Sequence, residues 1–354
     1  MNRKLLIKNG RVWDGNQFYY ADIRTEGDRI VEIAEGIDSP ADFTFDASGM
    51  IVSAGLVDSH VHLKGISGNI YGTPADSSCL PFGVTAAVDV SAIKPTRAAA
   101  DTCAVKTAVL GFINIQEDHA DFDKAEQAFQ VYQEKVVGLK MCFSTPAAQS
   151  ITPLQEACSY AQSKRLPLMV HCTDSPVPML SIVECLSAGD ILTHPFHGGV
   201  NTADEHKFAA LRLAVEKGVW LDSGFAGNVH TRFSVLKAAA EAGIFPDTIS
   251  TDITRFSVFQ RGGRYGMTAA MSIARTAGMA EADIFRAVTS SPAKMFGKSQ
   301  EWGSLQVGGK ADIAVLKVCD EGINFQTKGG NNLESETGYR CMLTVADGEV
   351  VFRY

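Results

Sequence analysis

Between residues 52 and 252 the chain alternates short apolar runs with longer stretches of helix-forming residues, and nothing else in it restricts the fold as tightly. The runs are 52–58, 84–89, 109–114, 136–141, 166–171, 191–194, 219–222 and 248–252. Each has the length of a strand, and most are rich in Val, Leu and Ile. Such runs read as strands buried on both faces of a parallel sheet. Parallel neighbours need crossover connections, and segments 157–164, 207–217 and 234–242 supply good helix formers, the last stopping at Gly243 where a left-handed cap is expected. Eight such strands with helices between them predict an α/β fold, a (β/α)8 TIM barrel.

The two ends follow a different grammar. Residues 1–51 alternate apolar and polar positions between turn signals such as Asn9-Gly10 and Glu26-Gly27-Asp28, and residues 304–354 resume the pattern around Asp347-Gly348. The expectation is one small β-sandwich domain built from 1–51 and 304–354, flanking a barrel of 52–303. Segment 327–339, with its glycines, asparagines and acids, reads as a loop.

Bulk properties exclude several classes of function. The net charge of −8, with no cluster of Lys and Arg, argues against nucleic acid as a partner. No apolar run approaches membrane-spanning length, and the first eight residues turn polar too soon for a signal peptide, so no membrane partner and a cytoplasmic location are expected. The eight cysteines form no C-x-x-C pair and read as reduced, buried thiols.

In a (β/α)8 barrel the chemistry sits at the C-terminal ends of the strands. His60 and His62, two apart just beyond the first run, share a face and can aim both imidazoles into one site. Alone, such a pair is weak. Lys140, however, stands in the apolar fourth run, where an unpaired ammonium is expensive. It has three readings: an ion pair, a Schiff base, or a carbamate acting as a bridging carboxylate. His171 and His194 close the fifth and sixth runs, and Asp252 closes the eighth, where a carboxylate can bind metal and take a proton from water. Four of the chain's eight histidines thus stand at three strand ends.

That order of residue types resembles the amidohydrolase superfamily, in its binuclear branch of dihydroorotases, hydantoinases and related deacetylases. Gly-Leu-Val-Asp-Ser-His-Val-His-Leu at 55–63 is similar to the family's first-strand motif. Ser-Pro-Ala-Lys-Met-Phe-Gly at 291–297 and Gly-Ser-Leu-Gln-Val-Gly-Gly-Lys-Ala-Asp at 303–312 resemble its return into the small β-domain. The resemblance implies two divalent metal ions, zinc being the expected identity. His60, His62 and Asp252 would hold one, His171 and His194 the other, and Lys140, carboxylated by carbon dioxide, would bridge both. It implies hydrolysis of an amide or ester bond with Asp252 as the catalytic proton carrier, and a homo-oligomer, since members of the branch are often oligomers.

Substrate is less constrained. Lys64 lies two residues beyond His62 and is similar in position to an arginine with which dihydroorotases hold a substrate carboxylate, although lysine lacks the bidentate fork. His230 and Arg255, in the segments after the seventh and eighth runs, are the other expected substrate contacts. The first choice is a deacetylase of a small carboxylate, an N-acyl amino acid or O-acyl hydroxy acid. A cyclic-amide hydrolase of the dihydroorotase or hydantoinase kind, and a non-catalytic scaffold barrel, stand as alternatives. His119 and His206 read as surface residues, and His197 as a neighbour supporting a ligand or capping a helix.

Overall fold

The structure is a computed structural model that describes residues 3–64, 70–92, 103–227, 229–259, 265–320, 323–330 and 332–354. Strands β1 (Lys4–Trp13), β2 (Phe18–Glu26), β3 (Arg29–Ala34), β4 (Phe43–Asp46) and β5 (Ile51–Ala54) come first. Barrel strands β6 (Leu56–Val61), β7 (Val84–Ala92), β8 (Lys106–Gln116), β10 (Val136–Cys142), β11 (Leu168–His171), β12 (Ile191–Thr193) and β13 (Trp220–Asp222) follow, with a short β9 (His119–Asp121) antiparallel to β8. Last are β14 (Ile313–Cys319), β15 (Ile323–Gln326), β16 (Asn332–Ser335), β17 (Gly338–Ala346) and β18 (Glu349–Arg353).

The seven barrel strands pair in parallel in the order β13-β12-β11-β10-β8-β7-β6. The eighth run closes the ring without becoming a regular strand. Thr248 bridges Asp222 of β13, Ile253 bridges Val61 of β6, and the Asp252 amide donates to the His60 carbonyl at 2.8 Å. Asp252 has a φ of 46°, in the left-handed region, which breaks the extended run at the residue that the site uses. The fold is a (β/α)8 barrel.

Alternation along the strands separates two apolar layers. Leu168, Val170 and Leu192 face outward into the main core shared with the helices, whereas Met169 and Ile191 face inward and pack with Phe296 and Trp302, which fill one end of the barrel. Period two then carries that inward face one step on, to His171 and Thr193. Parallel register aligns them: Cys142 pairs with His171, His171 with Thr193, and Thr193 with Asp222. The barrel interior therefore passes from an apolar plug to a polar layer within one strand repeat.

The chain ends interleave in a second sheet, ordered β18-β17-β14-β5-β1-β2-β3 with β4 on β1, around a separate apolar core that includes Ile7, Ile23, Val52 and Val315. Residues 52–54, read from the sequence as the start of the first barrel strand, belong to this sheet, pairing with β1 and β14. The barrel strand begins after Gly55, where a Cβ would collide with the Thr85 side chain. Segment 327–339 is also more ordered than expected. Its residues 332–335 form β16, antiparallel to β15, because Leu333 pairs with Phe325 and both pack on the main core. The helices predicted at 157–164, 207–217 and 234–242 appear as Thr152–Lys164, Ala209–Lys217 and Phe233–Glu241, with Gly243 left-handed as expected. All eight cysteines are free thiols and none is exposed. Among the described residues no helix is long and apolar enough to cross a membrane.

Candidate metal centre

The fold brings the six residues singled out at strand ends, together with His230, to one place. His60 lies in β6 with His62 directly after it, Lys140 in β10, His171 at the end of β11, and His194 directly after β12. Around the Asp252 carboxylate, the Nε2 atoms of His62, His60, His230 and His194 lie at 2.9, 3.3, 3.6 and 4.0 Å. Among the described residues two groups have ligand atoms within 4.8 Å of one another: His60, His62 and Asp252; and His171, His194 and His230. The rings of His194 and His230 stack at 4.2 Å, and His171 meets each of them edge-on at 4.6 and 4.8 Å.

Each of four imidazoles uses Nδ1 outward and leaves Nε2 facing inward. His60 Nδ1 lies 3.0 Å from Thr193 Oγ1 and 3.3 Å from Asp222 Oδ2. His62 Nδ1 meets Ser91 Oγ at 2.9 Å, and that hydroxyl donates in turn to Asp89. His194 Nδ1 donates to the Gly224 carbonyl at 2.8 Å, and His230 Nδ1 meets Thr173 Oγ1 at 2.9 Å. Outer partners of this kind fix ring orientation and tautomer in metal sites. Burial lowers His60, His171, His194 and His230 below the ordinary imidazole range, His171 and His194 furthest and His230 to about 4, which favours the neutral rings that a cation requires. Burial works to raise Asp252, but the adjacent His60, His62 and His230 outweigh it and hold the carboxyl well below its ordinary value.

Lys140 is 5% exposed, and its Nζ has no hydrogen-bond partner among the described residues. Burial, partly countered by Asp252, lowers it to about 8. A buried amine with no hydrogen-bond partner among the described residues, close to an ionised carboxylate, is poorly satisfied, and it is the group that a carboxyl addition between two cations would satisfy. The donor set of nitrogens and a carboxylate suits zinc and similar divalent ions. His194 and Asp252 both have left-handed φ values, 65° and 46°, conformations that non-glycine residues hold at a cost of order 1–3 kcal/mol and that cluster at functional sites.

The remaining expectations divide. His230, expected as a substrate contact, lies inside the centre itself. Lys64 and Arg255 are exposed; the Arg255 guanidinium sits over Phe256 and 3.4 Å from the Ile70 carbonyl. His119 is exposed beside Glu156, and His206 is exposed. His197 is buried and accepts from the Gly199 amide. Sequence reasoning passed over Asp222. Its buried carboxylate accepts from Ser59, Thr193, Thr248 and Ser250 at 2.7–3.0 Å as well as facing His60. The available signal was an acid closing the seventh apolar run, the same placement as Asp252 in the eighth. Asp58, within the 55–63 motif, is likewise buried; it accepts from Thr251 Oγ1 at 2.6 Å and so ties the first strand to the turn that carries Asp252.

Comparison with known proteins agrees with this architecture. Along its whole length the chain is similar to a deacetylase of Enterococcus faecalis, 29% identical over 99% of both chains. Among solved structures it is similar to a dihydroorotase (TM-score 0.87, 24% identity, 99% of both chains) and to an adenine deaminase (TM-score 0.84, 26% identity, 99% of both chains). The family model described as "Amidohydrolase family" matches residues 51–336, a span that contains every residue of the centre. With a barrel that converges four imidazoles on one strand-end carboxylate and a match over most of its length, the chain belongs to the amidohydrolase family of enzymes.

Proposed function

We propose that the chain is a binuclear metal-dependent hydrolase that removes an acyl group from a small carboxylate, an N-acyl amino acid or an O-acyl hydroxy acid. The observation that carries this reading is the gathering of His60, His62 and Asp252 beside His171 and His194, with a buried Lys140 whose Nζ has no hydrogen-bond partner among the described residues. The name of the Enterococcus faecalis relative supports the choice of deacetylation. His60, His62 and Asp252 would hold one ion and His171 and His194 the other, and Lys140, if carboxylated, would supply a carboxylate to both. When bound, the ions, with zinc as the proposed identity, supply Lewis-acid polarisation of the scissile carbonyl and acidify the attacking water.

The chain's own residues do the rest. Asp252, held ionised, takes the proton of the attacking water and delivers it to the departing nitrogen or oxygen. Asp222 and Thr193 hold the His60 ring, and Gly224 holds that of His194, so the reacting groups need no reorganisation. Lys64 and Arg255, exposed within three residues of His62 and Asp252, are the proposed contacts for the substrate carboxylate.

The test is a panel of N-acetyl amino acids and O-acetyl hydroxy acids, with dihydroorotate and hydantoin rings beside them, assayed on zinc-loaded protein. Release of acetate from at least one small carboxylate is expected. Ring opening without any deacylation replaces this reading with that of a cyclic-amide hydrolase, and no turnover on the whole panel removes it.

A further inference from the structure

The six residues that match the family pattern leave His230 without a role, yet its ring is as central as theirs. One of its ring nitrogens lies with nitrogens of His171 and His194 inside a 4.8 Å group, while only His171 and His194 were expected there. Two observations show that the ring is placed rather than incidental. Its Nδ1 meets Thr173 Oγ1 at 2.9 Å, the same outward anchoring that His60, His62 and His194 have. In addition, the turn after β15 clamps the segment that carries it. The Lys328 amide donates to the Thr231 carbonyl at 2.7 Å, and Lys328 Nζ binds Asp174, next to Thr173, at 2.8 Å. Phe325 also packs edge-on against Phe225 at the start of the same segment.

We propose that His230 is a third imidazole ligand of the second ion, so that His171, His194 and His230 hold one divalent cation whether or not Lys140 is carboxylated. The inference rests on the binuclear reading above. Three neutral imidazoles with one open position form a complete ligand set for zinc or cobalt, whereas two imidazoles alone do not. The second ion thus no longer depends on carbon dioxide for its retention. Carboxylation of Lys140 would then add negative charge between the two sites rather than decide whether the second ion is held.

The test uses full-length protein stripped of metal and titrated with Co2+ in bicarbonate-free buffer, read by metal content and visible absorption. The parent and Lys140→Ala are expected to take up two ions per chain. In Lys140→Ala/His230→Ala the second ion should bind at least about tenfold more weakly. Lys140→Ala/His230→Gln, which fills the space beside Thr173 without an imidazole, should show the same loss and guards against a folding defect of the alanine variant. Loss of the second ion from Lys140→Ala alone, or an affinity unchanged by either His230 substitution, overturns the proposal and leaves the binuclear reading standing. A parent that takes up fewer than two ions without bicarbonate likewise overturns the proposal alone, and one that does so with bicarbonate present overturns both.

Discussion

His60 Nδ1 lies 3.3 Å from Asp222 Oδ2, with both side chains buried, so a carboxylate from the seventh strand sets the orientation of an imidazole from the first. Burial favours a protonated Asp222, but the His60 ring and the Thr248 and Thr193 hydroxyls outweigh it and keep the carboxyl below its ordinary value. An ionised acceptor there keeps the His60 proton on Nδ1 and frees Nε2 for a cation.

Asp222→Asn keeps the shape but replaces one acceptor oxygen with an NH2 that faces hydroxyl donors and an imidazole N–H. The expected result is about a 10–100-fold loss of metal affinity in a chelator competition. The cost in stability should be roughly 2 kcal/mol in denaturant unfolding of the metal-free protein. Unchanged affinity would show that Asp222 only packs.

Gly224→Ala tests the other anchoring contact. Gly224 has a φ of 47°, its carbonyl accepts from His194 Nδ1, and an added Cβ would overlap the His194 ring. The left-handed backbone alone costs about 1–2 kcal/mol for an L-residue, and displacement of His194 adds to it. The variant should therefore lose at least one ion per chain by metal analysis. Full metal content and parental activity would mean that the ring can move without consequence.

Much of this centre was legible in the sequence because a barrel converts sequence position into place. Lys140, His171 and His194 each close or interrupt a run of residues that are otherwise apolar, and parallel register then brings strand ends into one layer. Asp222 closes its run as Asp252 does, but its role of orienting His60 was not legible because its partners Thr193, Thr248 and Ser250 come from separate segments that only the fold brings together. His230 was expected in a loop facing substrate, and its place beside His171 and His194 was not legible, since a loop residue's reach depends on turns such as the left-handed Gly224 and Ala226 that spacing does not reveal. The first strand was misplaced by four residues for a local reason. Val52 and Leu56 look equally apolar, and only pairing tells β5 from β6.

Zinc-loaded protein equilibrated with 13C-bicarbonate should show a carbamate carbon signal that is absent from Lys140→Ala. The chemistry requires a neutral amine to attack carbon dioxide, and the lowering of Lys140 to about 8 supplies a larger neutral fraction at pH 7 than a free lysine has. Identical spectra from the two proteins would leave Lys140 as a plain buried amine.

The same buried amine predicts a pH dependence of stability in the metal-free, bicarbonate-free protein. Lys140 titrates at about 8 when folded and near its ordinary 10.5 when unfolded. Below pH 8 both states are protonated, and the folded state bears the whole cost of burying an ammonium. Between pH 8 and 10.5 the folded chain gives up the proton while the unfolded chain keeps it, so that cost fades as pH rises. Lys140→Met removes the charge and keeps the length of the side chain. At pH 7 it should be more stable than the parent by roughly 1–3 kcal/mol, with the gap shrinking toward pH 10. Paired urea unfolding curves at pH 7 and pH 10 measure this directly. A gap of the same size at both values would show that burial does not hold Lys140 below its ordinary range. A variant less stable than the parent at pH 7 would show that the Asp252 carboxylate repays the ammonium for its burial.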